Sequence, residues 1–340
     1  MESVTLKDTA KETKKDTLIE IKNLKKYFEV ERDLIQKLSS RTKRYVKAVD
    51  GVTFDIKRGE VFGLVGESGS GKTTTGRLII NIISPTEGSV LFDGVDLTKL
   101  SKRELKHFRR RMQVIFQDPY ASLNPRMKIG KTLMQPLEIH KIGTPREREE
   151  KALELLGKVG LTPPEIIFTK YPHQLSGGQR QRVVIARALI LNPDFVLADE
   201  PVAMADVSMR VLLLELMMDM KKEFNLTYLF ITHDLATAKY VCDRVAIMYL
   251  GKIMELGPLR DVFQNPLHYY TKALLAAIPI PDPDHKRKVD IPKGEIPNPI
   301  DPPAGCRFHP RCPYKMDICE KVEPQLQMIE EGHYVACHMY

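Results

Sequence analysis

No stretch of this chain approaches the roughly 18 consecutive apolar residues that a membrane-crossing helix needs, which excludes a polypeptide that spans a bilayer by itself. The opening MESVTLKDTAKETKKDT alternates acid and base and lacks the apolar centre of a secretion signal. Residues 1–17 are therefore expected to be the disordered N-terminus of a cytoplasmic protein. Dense basic blocks are missing as well. The net charge of +8 comes from 52 Lys and Arg against 44 Asp and Glu, but the tightest groups, RTKR, RRR and HKRK, are short and scattered. That pattern favours solvated surface over a nucleic-acid partner. Internal repeats and low-complexity tracts are absent. Cysteine is nearly so: before residue 306 only Cys242 occurs, on a segment that reads as a helix beside a sheet and hence as core.

What is present is an ordinary globular composition, 28% charged and 43% hydrophobic over 340 residues, long enough for one large domain and a small one. LIEIKNL (18–24) and KAVDGVTFDIKRGEVFGLVG (47–66) alternate or run apolar between glycines and read as strands, with the polar, basic residues 29–46 inserted between them as a loop. VFGLV leads into a glycine loop and the helix KTTTGRLIINII. SVLFDG and MQVIF read as strands, and residues 122–192 as mostly helical. There follow the strand DFVLADE, the helix VLLLELMMDMKKEF, the strand TYLFITHD, the helix ATAKYVC and the hairpin RVAIMYLGKIMELG. Strands alternating with helices predict an α/β fold on a mainly parallel sheet. Eight of the 25 residues at 279–303 are proline, too many for packed helix or sheet, so this stretch reads as an extended linker to a small tail at 304–340.

Residues 66–73, GESGSGKT, fit the phosphate-loop pattern G-x-x-x-x-G-K-[ST] and lie between a predicted strand and a predicted helix, as the pattern requires. Gly66, Glu67, Ser68, Gly69, Ser70 and Gly71 offer backbone amides to phosphates. Lys72 reaches the β and γ oxygens, the Thr73 hydroxyl suits Mg²⁺, and Thr74 follows in the helix. FVLADE ends in two carboxylates: Asp199 at the strand end suits Mg²⁺, and Glu200 is placed to orient or deprotonate a water. FITHD brings His233 to the same sheet edge, where a neutral imidazole can donate to the γ-phosphate, and MQVIF brings Gln117, whose amide can touch Mg²⁺ or the attacking water. A second anion site appears at QLSGGQRQR (174–182), where a serine and two glycines open a predicted helix.

With these motifs in this order, residues 18–275 resemble the nucleotide-binding domain of ABC transporters. The resemblance implies a P-loop NTPase with a RecA-like core sheet, an antiparallel β subdomain and a helical subdomain at about 121–185, the whole domain running over 18–278. It also implies ATP hydrolysis with Mg²⁺ held by Thr73, Gln117 and Asp199. In that family two domains meet head to tail, so that Ser176, Gly177, Gly178 and Gln179 of LSGGQ cradle the γ-phosphate of ATP bound to the partner. An aromatic upstream of the loop stacks on adenine; Phe28 fits best and Tyr27 is the alternative. After the catalytic Glu the family usually has Ser-Ala-Leu-Asp. Here Ala203, Met204, Ala205 and Asp206 keep only the aspartate, which implies altered cross-interface contacts and slower or asymmetric hydrolysis.

QDPYASLNPRM, NPLHYYTKALL and the tail GCRFHPRCPYKMDIC are similar to oligopeptide/dipeptide importer ATPases, most of all the second of that system's two ATP-binding subunits. This likeness implies a heterodimer with another ABC ATPase subunit, two membrane permease subunits docking near the Gln117 loop and residues 121–170, and an extracellular solute-binding protein. It places the chain on the cytoplasmic face of the membrane. Related ATPases serve oligosaccharide or nickel uptake, and a soluble ABC ATPase of DNA repair or translation is the reading from another class. Cys306, Cys312, Cys319 and Cys337 are spaced C-x5-C-x6-C-x17-C, without the C-x2-4-C pairs usual for zinc or the common ferredoxin spacings. From the residues alone this is a four-thiolate site of open metal identity, two disulfides, or reduced packing. The family resemblance implies a structural [4Fe–4S] cluster.

Overall fold

The structure is a computed structural model and describes residues 16–30, 43–278, 294–295 and 297–340. Residues 1–15 of the expected disordered N-terminus, most of the inserted loop at 29–46 and most of the linker at 279–303 lie outside the described residues, and Thr17, expected to be disordered, instead opens the first strand. Twelve strands run along the described chain: β1 (Thr17–Glu29), β2 (Tyr45–Lys57), β3 (Val61–Val65), β4 (Glu87–Phe92), β5 (Val95–Asp96), β6 (Met112–Ile115), β7 (Phe195–Asp199), β8 (Thr227–Thr232), β9 (Arg244–Tyr249), β10 (Lys252–Pro258), β11 (Gln327–Glu330) and β12 (His333–Val335). They divide between two compact units. The first comprises the residues up to Lys57, Val61–Lys99 and Thr232–Tyr340; the second comprises Arg58–Glu60 and Leu100–Ile231.

In the first unit, β2-β1-β4-β5 form an antiparallel sheet. A second run of strands follows the order β11-β12-β10-β9-β3, in which β3 and β9 are parallel and the rest antiparallel. All five residues of β3, VFGLV, are buried, the unbroken apolar run typical of a strand covered on both faces. Gly63 is needed at its centre because a Cβ there would lie 2.8 Å from Cys242 Sγ, and Cys242 is core as the sequence predicts. In the second unit β6, β7 and β8 run parallel, with Ile115 opposite Ala198 and Asp199 opposite Ile231. The expected α/β fold is met with parallel pairing among these strands and between β3 and β9, and the antiparallel sheet β2-β1-β4-β5 and the strands β10, β12 and β11 make it mixed.

Local chemistry explains the helices. Thr144 and Glu147 form a capping box before Pro145–Lys158, Ser176 and Gln179 do so before Gly177–Leu189, and Asn225 in the left-handed region stops Val207–Phe224. Helix Lys102–Arg111 was not anticipated, because its three terminal arginines read as scattered charge. Its signal is the Ser101/Glu104 capping box. The predicted helix over 72–83 stops earlier, at Ile79.

The C-terminal hairpin β11–β12 joins β10 through Val335 opposite Glu255 and Tyr334 opposite Leu256. Glu255 is fully buried. It accepts the N–H groups of Leu267 and His268, each at 2.9 Å, and its Oε1 lies 2.8 Å from His333 Nε2, itself fully buried. Burial pushes His268 down to about 4, so its ring is neutral and its Nδ1 accepts the Tyr270 N–H at 3.0 Å, capping helix Tyr269–Ala276. Replacing Glu255 by Leu orphans two buried amides and an imidazole at once. Urea unfolding is expected to lose about 3–5 kcal/mol of stability, and a change no larger than that of a surface substitution would contradict this account.

Candidate active site

In the first unit β3 ends at Val65, and the chain turns through residues 66–71 into helix Lys72–Ile79. A Cβ on Gly66 would collide with the Met248 carbonyl oxygen, and one on Gly71, at φ 105°, with that of Ala48. The loop therefore follows a path that only glycine permits at both ends. Lys72 is buried, and its Nζ donates to Gly66 O at 2.7 Å, Glu67 O at 2.8 Å and Ser70 Oγ at 3.4 Å. The loop thus curls around an ammonium, with Ser68 and Gly69 at an exposed tip and Thr73 in the first helical turn. This arrangement fits a polyphosphate: a lysine ammonium sits inside a glycine-bounded loop, and the N-terminus of the helix it opens adds its partial positive charge. Glu67 is engaged on its far side. Its N–H donates to Tyr270 Oη at 2.9 Å, and its carboxylate accepts from Arg311 at 2.9 and 3.3 Å.

Of the two candidate adenine-stacking aromatics on β1, Tyr27 donates its hydroxyl to Asp50, a residue also held by Arg307. Burial raises the Tyr27 pKa and the Asp50 hydrogen bond raises it further. Phe28 is 41% exposed, and the Lys26 ammonium lies 5.2 Å from its ring centroid. His233 follows β8 and is exposed.

In the second unit Asp199 ends β7 and is buried. Glu200 comes next at φ 48°, a left-handed conformation costing a non-glycine residue about 1 kcal/mol. Its N–H donates to Ile231 O at 3.0 Å. Its carboxylate accepts from Gln117 Nε2 at 2.9 Å, so two residues selected from separate strand ends meet directly. Some distance along the chain, Ser176 Oγ accepts the Gln179 N–H at 3.2 Å while Gln179 Oε1 accepts the Ser176 N–H at 3.0 Å. Gln179 is thus committed to capping its own helix. Ser176, Gly177, Gly178, Tyr120, Met204 and Asp206 line a cavity of about 260 Å³. Asp206 accepts the Met209 N–H at 2.9 Å and the Ser208 hydroxyl at 2.8 Å, bonds that hold its carboxyl below the usual range. The two glycine cradles belong to different units, with residues 66–73 and His233 in the first and Gln117, residues 175–179, Asp199, Glu200 and Asp206 in the second.

Residues 49–203 match the ABC transporter family, and residues 254–319 match the C-terminal region of oligopeptide/dipeptide transporters. The oligopeptide transport ATP-binding protein AppF of Bacillus subtilis is 48% identical over 328 residues, covering 96% of this chain and 98% of that one. The chain belongs to the ABC transporter family. It is an ATPase of the ABC type. A Brucella ovis protein that bears the name of a peptide import ATP-binding protein is 53% identical over 292 residues, covering 86% of this chain and 92% of the relative. Among solved structures, the dimeric post-hydrolysis state of the ATP-binding cassette MJ0796 bound to ADP and Pi superimposes with a TM-score of 0.62 at 31% identity, over 72% of this chain and 99% of that chain. Among the described residues of this ABC protein no helix is long and apolar enough to cross a membrane.

The iron–sulfur centre expected at the four tail cysteines is not supported by the arrangement of the described residues. Cys306, Cys312, Cys319 and Cys337 come from four segments and line one cavity of about 510 Å³, and all are free thiols. Among the described residues, however, no three His, Cys, Asp or Glu side chains are close enough together to hold a metal ion. Burial pushes the Cys306 thiol up to about 11 and raises Cys312 and Cys337 as well. Because a bound metal deprotonates a coordinating thiol, the donor set fits a soft metal in kind, but not in spacing. The sequence does not assign roles to Tyr270, Arg311 and Tyr120, although each lies in a family-like stretch, NPLHYYTKALL, GCRFHPRCPYKMDIC and QDPYASLNPRM respectively.

Proposed function

We propose that this chain is the ATP-hydrolysing subunit of a membrane importer of peptides, and that it works as one half of a head-to-tail heterodimer with a second ABC ATPase subunit. The observation that carries this reading is the split of the two glycine cradles, with the Lys72 loop in the first unit and the Ser176 helix N-terminus in the second. The names of AppF and of the Brucella ovis protein support peptide as the cargo. Two permease subunits, docking near Gln117 and residues 121–170, and an extracellular solute-binding protein complete the proposed complex, which puts this chain at the cytoplasmic face. Oligosaccharide or nickel import would use the same ATPase unchanged.

On this reading Phe28 stacks on adenine, since the Tyr27 hydroxyl is taken by Asp50. Lys72 and loop amides other than those of Glu67 and Ser70, which donate to Tyr270 Oη and to the Glu67 carbonyl, bind the phosphates. Thr73, Asp199 and Gln117 would hold Mg²⁺, which when bound supplies charge neutralisation at the β and γ oxygens. Glu200 accepts a proton from the attacking water, and Gln117 donates to one of its carboxylate oxygens at 2.9 Å. His233 donates to the γ-phosphate. Ser176, Gly177 and Gly178 receive the partner's γ-phosphate, and Asp206 stiffens the loop beside them.

We further propose that Cys306, Cys312, Cys319 and Cys337 ligate a structural [4Fe–4S] cluster as thiolates. Their common cavity and soft donor chemistry support it, and such a cluster would supply folding energy to a tail with little core. Two outcomes are expected. Glu200→Gln should cut ATP turnover by roughly 10²-fold or more while ATP stays bound, and near-normal turnover in that variant would refute the assigned role. Protein purified without oxygen should absorb broadly in the visible range and lose that absorbance on Cys→Ser substitution, whereas stoichiometric zinc, or colourless metal-free protein, would overturn the cluster.

A further inference from the structure

We propose that Arg311, in the C-terminal tail, is a positioning residue for ATP: its guanidinium holds the Glu67 carboxylate away from the phosphates that the neighbouring amides bind. The inference rests on the reading of residues 66–73 as the ATP phosphate site. Glu67 is the only acidic residue of GESGSGKT, and it follows directly on Gly66. An uncompensated carboxylate in a phosphate-binding loop repels the ligand the loop is built for.

Arg311 answers that charge with a two-pronged contact, at 2.9 Å to Oε2 and 3.3 Å to Oε1 of Glu67. The pair is poorly exposed, with Arg311 at 10% and Glu67 at 29%, so solvent and salt screen it weakly. The arginine is itself fixed. It ends the short turn His309–Arg311, and its guanidinium lies 5.9 Å from the Tyr249 ring centroid and 6.0 Å from that of Phe308. Phe308, Tyr249 and Tyr270 are fully buried and pack edge to face or tilted, with centroids 4.8 to 5.4 Å apart. Tyr270 accepts the Glu67 N–H at 2.9 Å. Glu67 is therefore gripped at both ends, the main chain through Tyr270 and the side chain through Arg311, and Phe308 joins the two grips. The tail is electrically part of the nucleotide site.

The test is Mg·ATP binding to the full chain by calorimetry, with folding checked by thermal melting. Arg311→Gln is expected to weaken binding by about tenfold, and Arg311→Lys by less, since the charge stays but the fork is lost. Glu67→Gln alone should bind at least as tightly as wild type, and adding it to Arg311→Gln should restore the affinity. Wild-type affinity in Arg311→Gln, or a loss that Glu67→Gln does not rescue, would overturn the proposal in favour of plain tail packing. If Arg311→Gln does not fold, the Arg311→Lys and Glu67→Gln chains decide it: a weakened Glu67→Gln would mean that the carboxylate itself is needed. Lys72→Ala separates the levels, because retention of ATP binding there would remove the phosphate-site reading and this inference together, whereas its loss leaves the arginine variants to judge the inference alone.

Discussion

Everything in this molecule turns on a loop of backbone that has no room for side chains. Between β3 and helix Lys72–Ile79, Gly66 and Gly71 pass so close to the carbonyls of Met248 and Ala48 that a single Cβ would force the chain apart. The constraint turns the carbonyls of Gly66 and Glu67 inward around the Lys72 ammonium. The buried strand β3 holds the start of this turn, and the Gly251 N–H, donating to the Ser70 carbonyl at 2.8 Å, ties its end to the hairpin β9–β10. A phosphate site is thus specified by packing before any ligand arrives, which is what electrostatic preorganisation requires.

The second unit follows the same logic with a different outcome. Ser176 and Gln179 satisfy each other in a capping box, so the helix behind Gly177 and Gly178 is stable without an anion, yet its glycines remain accessible beside a cavity. Glu200 shows where strain is tolerated: a left-handed glutamate at a strand end, fixed by its amide to Ile231 and by its carboxylate to Gln117. The tail adds a buried carboxylate–imidazole contact at Glu255 and His333 and an exterior brace on Glu67. Chemistry and dimer geometry on the proposed reading both draw on these few fixed points.

Much of this was legible because the informative residues report locally. The glycine spacing of residues 66–73, the carboxylates closing FVLAD, and the Ser-x-x-Gln of LSGGQ each act within one turn or one strand end, so their types and separations carry the message. The Gln117–Glu200 contact followed from two strand ends being neighbours, which parallel pairing of β6 and β7 delivers. What escaped was long-range. Arg311 is 244 residues from Glu67, Tyr270 is 203 residues from it, and no periodicity links them. The basic end of Lys102–Arg111 hid a helix because charge was weighed before capping. The extension of the expected β9–β10 hairpin by β12 and β11 was not legible, because strand order is set by tertiary packing.

The central claim is that each ATP is enclosed by the Lys72 loop of one subunit and the Ser176 helix of another. Placing Arg at position 176 of this chain, then measuring ATP binding by the isolated chain and ATP turnover by the assembled transporter, tests it most directly. The account requires binding to persist, since the Lys72 loop is untouched, and turnover at the site completed by Ser176 to be lost. Undiminished turnover in the assembly, together with full-rate hydrolysis by the strictly monomeric chain, would contradict it.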